Sequence, residues 1–195
     1  MEKQIKSERR VSDFGEVYTA RKQVTGMVDL VDSSVSDITT TVLEPACGNG
    51  NFLVEILARK MNTIQWCPIS LIRYERDTLR AVASIYGVDI QKDNTIECRE
   101  RLFRQVTDGK HDWSSLFIKV LRDILTRNII CGDTLTMVAD GGNPLTISEW
   151  DIRDNGVVVR KDVLFQEMIA NGGESTNYIR RYYYRWMPKE EWLSA

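Results

Sequence analysis

The chain has 195 residues, 43% of them hydrophobic, with 26 Lys and Arg against 28 Asp and Glu, a formal charge of −2. That is enough apolar material for a globular core, and the balance excludes a globally basic nucleic-acid binder, so any such partner needs a local basic face. A single His111 and four scattered cysteines, Cys47, Cys67, Cys98 and Cys131, with no C-x-x-C pair, argue against a metal site or a disulfide framework and for a reducing cytoplasm. No apolar run is long enough to span a bilayer, and the N-terminal residues are too polar for a secretion signal.

In chain order, residues 1 to 12 are charged and read as solvated or frayed. Gly15-Glu16-Val17-Tyr18-Thr19-Ala20 leads into Arg21 to Val31, where Val24, Met27, Val28 and Val31 have helical spacing and Thr19 is placed to cap. The β-branched run Thr39-Thr40-Thr41-Val42 precedes Leu43-Glu44-Pro45-Ala46-Cys47-Gly48-Asn49-Gly50-Asn51-Phe52-Leu53, and an amphipathic run continues to Met61. This reads as strand, tight glycine turn, helix. The helix start points free N–H groups back at the turn, and Gly48 and Gly50 let a ligand approach the backbone.

A dinucleotide fingerprint would place a third glycine where Leu53 stands, so that match fails. Glu44 at the strand end suits a ligand carrying an ammonium group better than a phosphate. The run from Glu44 to Leu53 resembles motif I of S-adenosylmethionine (SAM)-dependent methyltransferases, in the form found in amino-methylating DNA methyltransferases of restriction–modification systems. Gly15 to Thr19 resembles the motif X that precedes motif I in that family and lies against the methionine end of SAM.

Residues 62 to 84 read as a loop and a helix, with a charged, solvated face at Arg73, Glu75, Arg76, Asp77 and Arg80. Ser84 to Ile90 reads as a second strand ending in Asp89, before a helix from Lys92 to Val106. An acid at that place is positioned for a ribose diol, and the resemblance adds Ile90 packing on adenine. A further helix within 108–127 leads to Asn128–Leu135, a third strand ending in Gly132-Asp133. This is similar to motif III, whose acid accepts a hydrogen bond from the adenine amino group.

The expected fold is therefore α/β, a doubly wound, Rossmann-like class I methyltransferase sheet over residues 1–142, incomplete if residues 143–195 only append a β-hairpin and short helix to it. The resemblance implies SAM as cofactor, held by Tyr18, Thr19, Glu44, Ala46, Gly48, Gly50, Phe52, Asp89, Ile90, Asp133 and Thr134, with DNA as partner. It covers residues 13 to 135 and then stops. The family's Asn/Asp-Pro-Pro-Tyr/Phe motif, which holds the acceptor amine and stacks on a flipped base, is missing. Asn143-Pro144-Leu145-Thr146 lacks the second proline and the aromatic residue, and reads as a turn. The catalytic residues are thus unassigned, and either a second polypeptide supplies them or the chain is an accessory SAM-binding protein. Near the C-terminus, Tyr178 to Trp186 interleaves basic and aromatic residues. Two uses fit: stacking on unpaired bases, or packing on the domain.

Overall fold

The computed structural model describes residues 5–64, 71–109, 112–170 and 178–186. Cys67, His111 and the break expected at Asn171-Gly172-Gly173 lie outside them. The first part runs α1 (Glu8–Phe14), α2 (Arg21–Asp29), α3 (Asp32–Val35), β1 (Val42–Glu44), α4 (Asn51–Thr63), α5 (Leu71–Ala83), β2 (Ile85–Asp89), α6 (Lys92–Thr107), α7 (Ser115–Asn128), β3 (Ile129–Asp133) and β4 (Val138–Ala139). The second runs β5 (Thr146–Ile152), β6 (Val157–Leu164), α8 (Phe165–Ala170) and β7 (Arg180–Arg185).

The fold is α/β with a mixed sheet. β1, β2 and β3 pair in parallel in chain order, and β4 closes the far edge antiparallel to β3. β5, β6 and β7 form a separate antiparallel sheet. Period-two alternation splits the parallel strands between two cores. Ile85 and Ile129 join Leu53, Leu57, Cys98, Leu102, Leu121 and Leu125 from the helices. Tyr86, Val88, Leu43 and Ile130 face Leu145, Ile147, Val163, Phe165 and Met168 from the second part. Helices from the first part cover one face of the parallel sheet, and the appended β-rich segment covers the other. Among the described residues, the helices of a second winding are absent from that second face.

The two sheets are joined through side chains rather than by continuous pairing. The Tyr86 hydroxyl donates to the Ser148 carbonyl (2.9 Å), and the Arg80 guanidinium to the Ile152 carbonyl (2.8 and 3.0 Å). These bonds cap β5 carbonyls at its unpaired edge, which would otherwise template another strand. Buried Asn128 donates to the Ala83 and Ile85 carbonyls and accepts from the Trp150 indole at 2.8 Å, tying α7, β2 and β5 together.

Several elements differ from the sequence expectation for local reasons. The β-branched run Thr39-Thr40-Thr41 is not strand, and β1 begins at Val42. Asp37 accepts from both the amide and the hydroxyl of Thr39 (2.7 Å each), an Asx-type turn that competes with extension. Lys60, fully buried, donates to the Asp37 and Thr40 carbonyls (2.5 and 2.7 Å) and locks that turn beneath α4. The N-terminal segment is not frayed from Glu8 onward. Ser7 caps α1, Gly15 ends it at φ 65°, and ion pairs hold it on α6. The α2 cap is Ala20 without a side-chain bond, not Thr19. On α5 the charged face is not wholly solvated: Glu75 is buried and accepts from the Ser114 amide (2.6 Å) and hydroxyl (3.0 Å) at the start of α7.

Lys60 gives a stability test. Lys60→Met leaves two carbonyls without their donor, so unfolding in urea followed by circular dichroism should show a loss of about 1–3 kcal/mol. Burial pushes the Lys60 ammonium down to about 8 from its ordinary 10.5. Between those values the unfolded chain binds the proton more tightly, so this group's contribution to stability rises with pH. The gap between wild type and Lys60→Met should therefore widen from pH 8 to 10.5; a constant gap contradicts the assignment.

Candidate functional site

A cavity of about 440 Å³ opens at the carboxyl ends of the parallel strands. Four separate segments line it: Phe14 to Tyr18, then Pro45, Ala46 and Gly48, then Asp89 to Gln91, and Asp133 to Leu135. Its size lies within the range of small-molecule sites, and its position is where open α/β sheets bind ligands.

The glycine turn sets the floor. Gly48 and Gly50 have φ of 53° and 87°, the left-handed region that glycine enters without strain. A Cβ at Gly48 would just touch the Tyr18 ring (3.4 Å), whereas one at Gly50 would collide with Cys98 of α6. Leu53, where a dinucleotide site needs its third glycine, is buried against β2, and the small residue at that contact is Gly87 on the strand. Close helix–strand packing is thus reached from the opposite side.

Asp89 joins the segments. One carboxylate oxygen accepts from the Gly48 amide at 2.9 Å, the other from the Gln91 amide at 2.8 Å and the Asn94 amide group at 3.1 Å. Asn94 in turn accepts from the Tyr18 hydroxyl (2.7 Å) and donates to Glu16 (3.1 Å). Burial, ahead of the nearby Glu16 carboxylate, pushes the Tyr18 phenol up to about 12, so it stays a donor throughout the physiological range. Behind them Arg10 pairs with Glu16 and Asp93 (2.6 Å each), and Lys6 with Asp93 (3.0 Å) and Glu97 (2.9 Å). The Arg10 hydrogen bond first, then Lys6, holds the Asp93 carboxyl well below the usual carboxylate range. This network clamps α1, and with it Phe14 and Glu16, over the cavity.

Two properties suit a ligand with a charged end and a flat apolar end. Glu16 is 9% exposed at its side chain, and its Oε1 is buried without a hydrogen-bond partner. That leaves an acceptor in the cavity wall, where an unmet carboxylate oxygen is costly. Around it Phe14, Val17, Ile90 and Leu135 are exposed by 53, 58, 49 and 91%. Such an apolar wall with a few placed polar groups is the usual composition of a ligand site. On the far side Asp133 accepts from the Leu135 amide (2.8 Å) in its own turn, and that bond, with the Thr136 contacts and against the effect of burial, holds its carboxyl below the usual range.

Of the residues expected from the sequence, Tyr18, Ala46, Gly48, Asp89, Ile90, Asp133 and Thr134 line this cavity. Thr134 also donates to the Pro45 carbonyl (3.2 Å), closing the β3 end onto the motif I turn. Thr19, Glu44, Gly50 and Phe52 stand outside the lining. The Thr19 carbonyl accepts from Asn51 (2.9 Å), which joins the N-terminal segment to α4. Burial, against a backbone hydrogen bond from Ala46, pushes the Glu44 carboxyl up. Glu16, Gln91, Asn94 and Leu135 were not expected. Glu16 lies inside the Gly15–Thr19 stretch, so its sequence signal was present, whereas Asn94 and Leu135 acquire a role only through folding. Asn143-Pro144 lies in a hairpin turn, where the Asn143 carbonyl accepts from Ala139 (2.8 Å) and Pro144 bridges Val138. Among the described residues no cluster of three or more His, Cys, Asp or Glu side chains is arranged to hold a metal ion. No helix of these residues is long and apolar enough to cross a membrane.

The clamp gives a direct test. Asp93→Asn removes the carboxylate shared by Lys6 and Arg10, so hydrogen exchange of amides 8–14 at neutral pH should accelerate at least about tenfold while β2 and β3 stay protected. Unchanged exchange in α1 would show that the ion pairs do not hold it.

Compared with models of known protein families, with curated proteins and with solved structures, the chain matches none.

Proposed function

We propose that the chain is the SAM-binding part of a DNA adenine-N6 methyltransferase, on a half-sheet of Rossmann-like topology, and that it transfers a methyl group only when a second polypeptide completes the acceptor site. The observation that carries this reading is the convergence of four sequence-distant segments, three of them strand ends with an acid or a Gly turn, on one cavity.

In this reading Glu16 accepts from the ligand's amino group and Gly48 gives the chain room to pass. Asp89 uses the lone pair left on Oδ2 for one hydroxyl of the ribose diol, and Ile90 and Leu135 flank the adenine. Asp133 offers the oxygen not used in its own turn to the exocyclic amine. SAM supplies a methyl group on a sulfonium, electrophilic enough for direct displacement without a metal. The acceptor amine is a weak nucleophile because its lone pair is delocalised, so orientation and exclusion of water supply most of the rate. Within this chain, the polar groups fix the donor and the apolar rim dries it.

Two features favour completion by a partner. The Asn143-Pro144 sequence is occupied in a turn. β1 is the terminal strand of its sheet, so its carboxyl end can be approached by another polypeptide. The same features suit an accessory protein that binds SAM without transferring its methyl group.

Calorimetric titration tests the reading. Wild type should bind SAM, and Asp89→Ala should abolish detectable binding. Glu16→Gln should weaken SAM by about 10- to 100-fold, the value of a charge-assisted hydrogen bond, while leaving 5′-methylthioadenosine, which lacks the amino-acid end, within about twofold. No binding of either ligand by folded wild type contradicts the reading; equal losses for both ligands contradict the role of Glu16.

A further inference from the structure

A second cavity, of about 450 Å³, lies between α7 and the antiparallel sheet, and the SAM reading makes no use of it. Leu116 and Val120 of α7 form one wall, and the rings of Trp150 and Tyr184 another. Those rings stand 6.5 Å apart at 34°. Both are held from behind. The Trp150 indole donates to Asn128 (2.8 Å), and the Arg160 guanidinium, almost fully buried, donates to the Tyr184 hydroxyl (2.5 Å) and lies 3.8 Å over the Tyr182 ring. The aromatic surface is therefore rigid before any ligand arrives, which lowers the entropy lost on stacking.

The charges around this surface are one-sided. Lys119, Arg122 and Arg185 belong to the lining and are all exposed. Lys119 and Arg122, three residues apart on α7, share one helix face. The acid in the lining, Asp123, is already matched by Arg160 (3.2 Å) and Arg127 (3.1 Å). Beyond the cavity, among the described residues, β7 pairs with β6 alone, and Arg181 and Tyr183 lie on the sheet face opposite Tyr182 and Tyr184, with Tyr183 65% exposed. Arg181 stacks at 4.5 Å on the Tyr178 ring, another flat surface at the start of the strand.

We infer that the cleft between α7 and β7 binds single-stranded nucleic acid, with an unpaired base stacked against Trp150 and Tyr184 and the flanking phosphates met by Lys119, Arg122 and Arg185. Fixed aromatic faces combined with cations are the physical requirement of a sequence-tolerant single-strand site. A duplex cannot use the aromatic surface, because its base faces are stacked on one another and only base edges, sugars and phosphates are on offer. The assignment is independent of the cofactor cavity and survives if that cavity binds nothing. It also places the mixed charge of the chain in context: overall −2, yet positive along this cleft.

Fluorescence anisotropy with short labelled oligothymidylate, oligouridylate and a mixed-sequence duplex tests it, with Lys119→Glu/Arg185→Glu as the variant and Lys22→Glu, on exposed α2, as the control. Circular dichroism establishes that each variant is folded. Wild type should bind at least one of the single strands at low salt and the duplex at least about tenfold more weakly; which single strand is preferred distinguishes RNA from DNA. The double variant should bind at least about tenfold more weakly than wild type, with a salt slope reduced by about 1.4 for two lost phosphate contacts, and the control should be unchanged. Three results overturn the inference: no single-strand binding, binding that the folded double variant retains in full, and equal affinity for the duplex.

Discussion

The hydrogen bonds of one carboxylate organise the parallel-sheet half of this molecule. Asp89 ends β2 and takes its bonds from the Gly48 turn after β1 and from Gln91 and Asn94 at the start of α6. A parallel strand pair leaves the loops at its carboxyl end unpaired, so something must fix them relative to each other, and here a side chain does so. Through Asn94 the same constraint reaches Tyr18 and Glu16, and through Arg10 and Asp93 it reaches α1. The cavity is what remains between parts that these bonds hold apart.

The second half of the molecule answers a different problem. Three parallel strands with helices on one face leave the other face apolar, at Leu43, Tyr86, Val88 and Ile130. Parallel sheets are stable only when both faces are covered. Here the cover is an antiparallel meander and a short helix. It docks by side-chain bonds donated by Tyr86 and Arg80 and one accepted by Asn128 from Trp150, instead of extending the sheet. Burying Arg160 within that meander requires partners, and Asp123, Asp162, Tyr182 and Tyr184 surround it, with its Nε 2.9 Å from Asp162 but without a hydrogen bond. The result is a rigid aromatic surface on the outside of the domain.

Much of the first half was legible in the sequence because its signals are local. Gly48 and Gly50 mark a turn, the period-3.6 runs mark α4 to α7, and the strand-end acids Asp89 and Asp133 fall where an α/β sheet presents them. Seven expected site residues line the cavity for that reason. What escaped depends on contacts distant in sequence. Glu44, which looked suited to an ammonium group, stands outside the cavity lining. The threonines before β1 had strand propensity, but Asp37 and Lys60 turned them. Glu75 read as surface until Ser114 closed over it. The layer opposite the helices could not be assigned, because a hairpin's pattern says which of its faces is apolar but not what that face will cover.

The most direct measurement is an amide nuclear magnetic resonance titration with SAM. The account predicts shifts confined to residues 16–18, 46–48, 89–91 and 133–135, the four segments around one cavity. Absence of shifts, or shifts centred on residues 38–41 and 149–152 around the cavity at the opposite end of β1, would contradict it.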